Sequence, residues 1–95
     1  MEKCNLARIE SLCYTKGVWY VYMLRCADDS LYTGITINMD MRIVRHNQGR
    51  GAKYTRSRLP VCMVYCENFP TRAAALSREA SIKRMSRAEK EALLI

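Results

Sequence analysis

The sequence has little of several features that define common protein classes. It contains one histidine, and none of its five cysteines forms a Cys-x-x-Cys pair. A structural zinc site would therefore have too few ligands. No apolar run approaches the length of a membrane span, and no signal-peptide core follows Met1. We therefore expect a cytoplasmic protein that makes no use of a membrane.

Two of the cysteines, Cys62 and Cys66, lie four positions apart in an extended apolar run. Because side chains alternate along a strand, this spacing predicts that both point to the same face. We expect buried reduced thiols, in keeping with a reducing cytoplasm.

Acidic residues are missing from one long segment, and most of the excess positive charge of the protein lies there. The 95 residues carry sixteen Lys and Arg against nine Asp and Glu. Between Met41 and Cys66 there are six bases and no acid, which leaves ten bases against nine acids elsewhere. Localised positive charge indicates a polyanionic partner such as a nucleic acid. A solvated basic surface is the simpler alternative.

A chain of this length predicts one domain, preceded by an extension over residues 1–17 that leaves 18–95 as the domain. Apolar segments rich in aromatic and β-branched residues predict three strands. N-capping residues before amphipathic segments predict helices. The predicted strands are Val18–Leu24, Leu31–Ile35 and Val61–Cys66. The first predicted helix follows the N-cap Asn38 and ends at about Asn47. The second runs from Arg72 to about Arg84, and the third from Arg87 to Leu93.

The first two strands form a predicted hairpin around a turn at Asp28–Ser30. If that loop has three residues, Tyr22 and Tyr32 share one face of the sheet. Gly34 in the second strand has two interpretations: a bulge or bend, or a position where another backbone or a ligand phosphate must come close.

The helix after Asn38 places Met39, Arg42, Ile43 and His46 at the spacing of a single face. This arrangement aims the arginine and the histidine toward the sheet. In the alternative packing, Met39, Ile43 and Val44 contact the sheet and Arg42 is exposed.

Two further features contain candidate functional groups. The segment from Gly49 to Arg58 is a basic loop with Tyr54 in its middle, which is suited to wrapping a phosphate backbone and stacking on a base. A plain surface loop is the alternative. Glu79, on a later helix, is either paired with Lys83 one turn away or a metal ligand.

With these residues identified, the chain resembles the GIY-YIG nuclease family, especially its small single-domain bacterial members, over roughly 19–95. The first family triplet corresponds to Tyr20-Val21-Tyr22 and the second to Tyr32-Thr33-Gly34. The chain keeps the second tyrosine of the first triplet and the tyrosine and glycine of the second. It lacks the glycine and isoleucine that give the family its name.

The resemblance extends to polar residues in the family order. Arg42 follows Tyr32 by ten residues, His46 is one turn further, and Glu79 lies on the later helix. The Gly-Ala-Lys-Tyr-Thr-Arg loop also fits. The phage homing enzymes of the family have a catalytic asparagine beyond the glutamate, and no asparagine follows Glu79 here.

The resemblance implies an α/β (α+β) fold, with a small three-stranded antiparallel sheet flanked by about three helices. It also implies an enzyme that hydrolyses phosphodiester bonds with one divalent metal ion. It implies Tyr22 as general base or nucleophile, assisted by Tyr32 and His46, with Arg42 stabilising the phosphate and Glu79 holding Mg²⁺ or Mn²⁺. Nucleic-acid contacts are expected from the basic segment: Arg45, Arg50, Lys53, Tyr54, Thr55, Arg56 and Arg58.

The expected function is a DNA endonuclease of low sequence specificity, linked to DNA repair or processing. The better-known family members join this module to targeting domains, so a partner protein is a candidate for delivering it to DNA. The alternative function is a catalytically weak nucleic-acid-binding module or a subunit of a repair complex. The sequence does not indicate an oligomeric state.

Overall fold

The computed structural model describes residues 18–94, so the predicted N-terminal extension lies outside the described residues. The described chain forms a three-stranded antiparallel sheet with four helices, which confirms the predicted fold class. The strands are β1 (Trp19–Arg25), β2 (Leu31–Thr36) and β3 (Cys62–Phe69), and the helices are α1 (Met39–Asn47), α2 (Lys53–Arg56), α3 (Arg72–Lys83) and α4 (Arg87–Leu93).

β1 is the middle strand of the order β2-β1-β3, and both of its faces are covered. Its even-numbered side chains, with Met39 and Ile43 of α1, form one part of the core. Val21 and Met23, with Ala75 and Ile82 of α3, form the other. Burial on both sides explains why the strand is apolar at consecutive positions instead of alternating with polar residues.

The β1–β2 hairpin has the predicted parity but a slightly different turn. Cys26 N–H donates to the Ser30 carbonyl at 2.9 Å, which places the three-residue loop one position earlier than predicted, at 27–29. Asp29 adopts a left-handed φ of 71°, a conformation that aspartate tolerates. The loop length keeps Tyr22 and Tyr32 on one face, with ring centroids 6.4 Å apart.

A bulge in β3 changes which way its cysteines point. Met23 pairs with Tyr65 and Leu24 with Met63, so Val64 is the extra residue. Cys62 and Cys66 therefore lie on opposite faces, and the prediction of a shared face is wrong. Each of these two cysteines is in a disulfide, so the expectation of reduced thiols there is wrong as well.

The helix ends follow the capping residues. Asn38 caps α1 and Thr71 caps α3, while Ser86 and Glu89 form the capping box of α4. Gly49, with φ of +76°, follows α1 as predicted. None of the helices in the described part of the chain has the length and apolar character needed to cross a bilayer.

The end of α1 is fastened to the start of β3 by one side chain. Asn47 Nδ2 donates to the Val61 carbonyl at 3.1 Å, and Val61 N–H donates to Asn47 Oδ1 at 2.8 Å. The amide thereby satisfies both backbone groups of Val61 where no neighbouring strand does so. This contact fixes α1 on the sheet.

Candidate active site

Tyr22 is the central residue of the candidate site, because polar side chains of α1 contact its hydroxyl. It lies in the middle of β1 and is fully buried. Arg42 Nε donates to the Tyr22 hydroxyl at 3.0 Å, and His46 Nε2 lies 3.0 Å from the same oxygen. One phenol therefore contacts both predicted polar residues of α1.

The face that α1 turns toward the sheet is the one predicted to include the polar pair. Met39, Ile43 and His46 are buried, and Arg42 is half-buried. Val44 is 46% exposed, so the alternative packing through that residue is wrong.

Gly34 lies directly across the β1–β2 ladder from Tyr22, and the pairing there is regular. A Cβ at this position would lie 2.6 Å from the Tyr22 hydroxyl oxygen and 2.8 Å from Cζ. The bulge interpretation of Gly34 is therefore wrong. A close approach does occur here, but the approaching group is the Tyr22 side chain, not the backbone or ligand phosphate that was expected.

The basic segment is not entirely a loop, as was predicted, because it contains the short helix α2. Residues of this segment also pack around the His46 side chain. Thr55 is fully buried, and its Oγ1 lies 2.8 Å from His46 Nδ1 and 3.1 Å from the Ala52 carbonyl oxygen. A Cβ at Gly51 would lie 2.6 Å from Cγ of the imidazole. Thr55 is thus unavailable to nucleic acid, and the sequence held no signal that it contacts His46.

The ends of this chain of contacts limit the possible directions of its hydrogen bonds. A guanidinium only donates and a carbonyl oxygen only accepts. Thr55 therefore donates to the Ala52 carbonyl, which leaves its oxygen available to accept a hydrogen bond from His46 Nδ1. With its proton on Nδ1, neutral His46 would accept the Tyr22 hydroxyl proton at Nε2, while Tyr22 accepts from Arg42 Nε. In this arrangement each of the four contacts has one donor and one acceptor.

Aromatic side chains line the exposed side of the site. The Tyr32 ring meets the His46 ring edge-on at 5.4 Å and stacks with Tyr54 at 6.1 Å with 22° between the planes. The Arg58 guanidinium lies 4.0 Å from the centroid of Tyr54. Because both neighbours already engage the Tyr54 ring, the expected stacking of a nucleobase on it would compete with these contacts.

The protein environment keeps both members of the Tyr22–His46 pair neutral. Burial raises the pKa of Tyr22 to about 12, outweighing Arg42, which lowers it. Burial, and then the charge of Arg42, lowers the pKa of His46 to about 4. Ionising Tyr22 alone at pH 7 would cost about 7 kcal/mol, so a free phenolate is not available in the resting protein.

Glu79 lies on α3, which packs on the other face of the sheet and also contacts β2. Its side chain is 18% exposed and lies 3.4 Å from Lys83 Nζ, so the predicted ion pair is present. Its negative charge contributes, after burial and Tyr32, to raising the pKa of Tyr22.

The donor set around Glu79 restricts the metal it could hold. No group of three His, Cys, Asp or Glu side chains occurs among residues 18–94 that could hold a metal ion. Zinc and calcium sites need several protein ligands, whereas Mg²⁺ keeps waters and binds through one or two carboxylates together with substrate phosphate. A single carboxylate therefore fits Mg²⁺.

The predicted nucleic-acid-binding cations fall into two groups. Arg58 donates through Nε to Asp28 Oδ2 at 2.9 Å and is therefore neutralised. The other cations are exposed and have no ion pair within the part of the chain that the structure describes. These unpaired cations are Arg45, Arg50, Lys53 and Arg56.

Comparison with known proteins places this geometry in a family. Residues 18–92 match the GIY-YIG catalytic domain. A UPF0213 protein from Natronomonas pharaonis is 53% identical over 75 residues, covering 79% of this chain and 88% of that protein. A UPF0213 protein from Staphylococcus haemolyticus is 52% identical over 71 residues, covering 75% and 87%.

Two solved structures are similar in fold. The solution NMR structure of a UPF0213 protein from Bacillus halodurans is 45% identical, with a TM-score of 0.54 over 81% of this chain and 82% of that one. That of a protein from E. faecalis is 39% identical, with a TM-score of 0.57 over 83% and 85%. The chain belongs to the GIY-YIG nuclease family.

Proposed function

We propose that this protein is a divalent-metal-dependent endonuclease that hydrolyses phosphodiester bonds in DNA with low sequence specificity, in DNA repair or processing. The observation that carries the proposal is the buried Tyr22 hydroxyl held between Arg42 and His46. Packing alone would favour an aliphatic core at this position. A directed chain of proton donors and acceptors instead fits proton transfer from an attacking water.

The pKa values favour a relay over a preformed phenolate. In the proposed step, water attacks phosphorus and gives its proton to the Tyr22 oxygen as the Tyr22 hydroxyl proton passes to His46 Nε2. The bond from phosphorus to the leaving oxygen breaks, and solvent protonates that oxygen. Tyr22 stays neutral overall, so the full cost of ionising it does not arise.

Arg42 has two roles in this scheme. Its guanidinium suits a phosphate oxygen and would stabilise negative charge that develops there. Movement of Arg42 to the phosphate also frees the lone pair on the Tyr22 oxygen to accept a proton. Mg²⁺ or Mn²⁺ held by Glu79 would supply further charge stabilisation at the phosphate. Negative charge at the phosphate in turn favours a protonated His46.

The four unpaired cations would position the DNA backbone. Contacts to phosphate carry no sequence information, which agrees with low specificity. Ile37, Met41 and Val44 leave apolar surface on the outer side of α1 and just before it, where a delivery partner could dock.

The second candidate function is a nucleic-acid-binding module with little or no cleavage. The observation that favours it is the complete burial of Tyr22, together with a pKa of about 12. In the resting structure, its hydroxyl reaches water only if a neighbouring side chain moves.

One experiment separates the two functions. Labelled linear, nicked and branched DNA, and matched RNA, are incubated with the purified protein with Mg²⁺, with Mn²⁺ or with chelator. Arg42→Ala and Glu79→Gln are compared with the wild type. Arg84→Ala serves as the charge-matched control, because Arg84 is exposed, has no ion pair within residues 18–94 and lies outside the site.

We expect metal-dependent DNA cleavage that falls by at least about 100-fold in both site variants, as for removal of a transition-state donor, and is retained in Arg84→Ala. Binding without cleavage under every metal condition supports the second function. Cleavage that survives both substitutions contradicts the proposed mechanism.

A further inference from the structure

We infer that Thr55 is a positioning residue that fixes His46 as the Nδ1–H tautomer, so that Nε2 is the atom that accepts the Tyr22 proton. The catalytic consequence rests on the proposed function. The tautomer itself does not, because it follows from contacts within the protein. This role replaces the nucleic-acid contact expected for Thr55 from the sequence.

The Ala52 carbonyl is the starting point of the argument. Its oxygen lies 3.1 Å from Thr55 Oγ1 and can only accept, so the single Thr55 hydroxyl proton points to it. The Thr55 oxygen is then left as an acceptor, 2.8 Å from His46 Nδ1. A neutral imidazole has one N–H, and this contact places it on Nδ1.

The opposite tautomer loses contacts that the structure makes. With the proton on Nε2, His46 would donate to the Tyr22 oxygen, which already accepts from Arg42. The Tyr22 hydroxyl proton would then have no acceptor among these groups, and the Ala52 carbonyl would keep only the Arg56 N–H, 3.2 Å away. Leaving buried polar groups without partners is unfavourable, so the chain of contacts selects the Nδ1–H form.

The surroundings of His46 hold the ring in this orientation. His46 and Thr55 are both fully buried, and Gly51 packs directly against the imidazole. Burial lowers the pKa of His46 to about 4, so the ring is neutral at pH 7 and a choice of tautomer exists.

The chain contains a single histidine, so its imidazole nitrogens can be observed by NMR without assignment of a second ring. We would record proton–nitrogen correlations of the ring at pH 7 in protein without a polyhistidine tag. The variants are Thr55→Val, which replaces the hydroxyl with a methyl group, Thr55→Ser, which keeps it, and Tyr22→Phe. Ser57→Ala, an exposed hydroxyl on the same segment, is the control.

We expect a protonated Nδ1 and an unprotonated Nε2 in the wild type, in Thr55→Ser and in Tyr22→Phe. Thr55→Val should shift the ring wholly or partly to Nε2–H. In cleavage assays, Thr55→Val should lose at least tenfold in rate, and Thr55→Ser should recover to within about threefold of the wild type. Ser57→Ala should match the wild type in both measurements.

An Nε2–H ring in the wild type overturns the inference, and this spectrum needs no variant to fold. A tautomer that changes in Tyr22→Phe but not in Thr55→Val also overturns it, because Tyr22 would then set the proton position. If the tautomer follows Thr55 but no variant or wild type cleaves DNA, the positioning role stands and the proposed nuclease function fails.

Discussion

The hydroxyl of Tyr22 lies over Gly34, its partner across the β1–β2 ladder. A Cβ atom added to Gly34 would lie only 2.6 Å from the Tyr22 hydroxyl oxygen. The missing side chain at Gly34 gives the phenol a path across β2 toward α1. There the hydroxyl meets Arg42 and His46. The glycine therefore serves the site through the space it leaves.

Gly34→Ala should displace the Tyr22 ring and destabilise the protein by about 1 to 3 kcal/mol, as expected for overpacking in a core. Cleavage should fall at least tenfold, because the hydroxyl leaves its two partners. Urea unfolding of a double-mutant cycle with Tyr22→Phe tests the cause. Without the hydroxyl the cost of Gly34→Ala should be smaller, and an equal cost in both backgrounds would contradict the contact.

Stability should depend on pH through His46. Its pKa is about 4 in the folded protein against an ordinary value of 6.5, so the unfolded state binds more protons between these values. Stability is therefore complete above pH 6.5 and falls as the pH drops toward 4, by about 2 to 3 kcal/mol at pH 4.5.

His46→Gln provides the comparison for this pH dependence, since carboxylates also titrate at low pH. Urea unfolding at pH 7 and pH 4.5 should show a larger loss for the wild type than for the variant. Equal losses would mean that His46 is not buried in the neutral form.

Asn47→Ala should destabilise the protein by about 2 kcal/mol, because it leaves the N–H and the carbonyl of Val61 without their partner. Gln48→Ala, at the next position and exposed, should change stability by less than about 0.5 kcal/mol. Chemical unfolding measures both. Similar small effects for the two variants would show that the amide contact adds little.

Lys53→Gln and Arg56→Gln should each weaken DNA binding. Each should also lower the slope of log affinity against log salt concentration by the amount expected for about one phosphate contact. Arg58→Gln should have a smaller effect, since Asp28 already neutralises its charge. Fluorescence titrations over a range of salt concentrations test this ranking. A larger change for Arg58→Gln would mean that DNA displaces Asp28.

Lys83→Met should tighten metal binding by a few-fold, because the ammonium group lies 3.4 Å from Glu79 and competes with a cation. The gain is small because exposed ion pairs contribute only tenths of a kcal/mol. Titration of Mn²⁺ by electron paramagnetic resonance gives the affinity directly, with Lys90→Met as the control. Weaker binding in Lys83→Met would show that Lys83 supports the site.

Local patterns in the sequence predicted much of the fold. The caps Asn38, Thr71 and Ser86 each start a helix where they were expected, because an N-cap acts on backbone groups two or three residues away. The shared face of Tyr22 and Tyr32 followed from the parity of the loop. The bulge at Val64, which separates the faces of Cys62 and Cys66, left no comparable local signal.

The sequence by itself determined the order of the strands and of the three longer helices, the placement of Arg42 and His46 on one face of α1, and the position of the excess positive charge, since each depends on residues near one another in the chain. Only the tertiary structure decided that Gly34 makes room for Tyr22 and that Thr55 holds His46. It also decided that Asp28 neutralises Arg58. These contacts join residues on separate elements, and their geometry depends on how the helices and the sheet pack together.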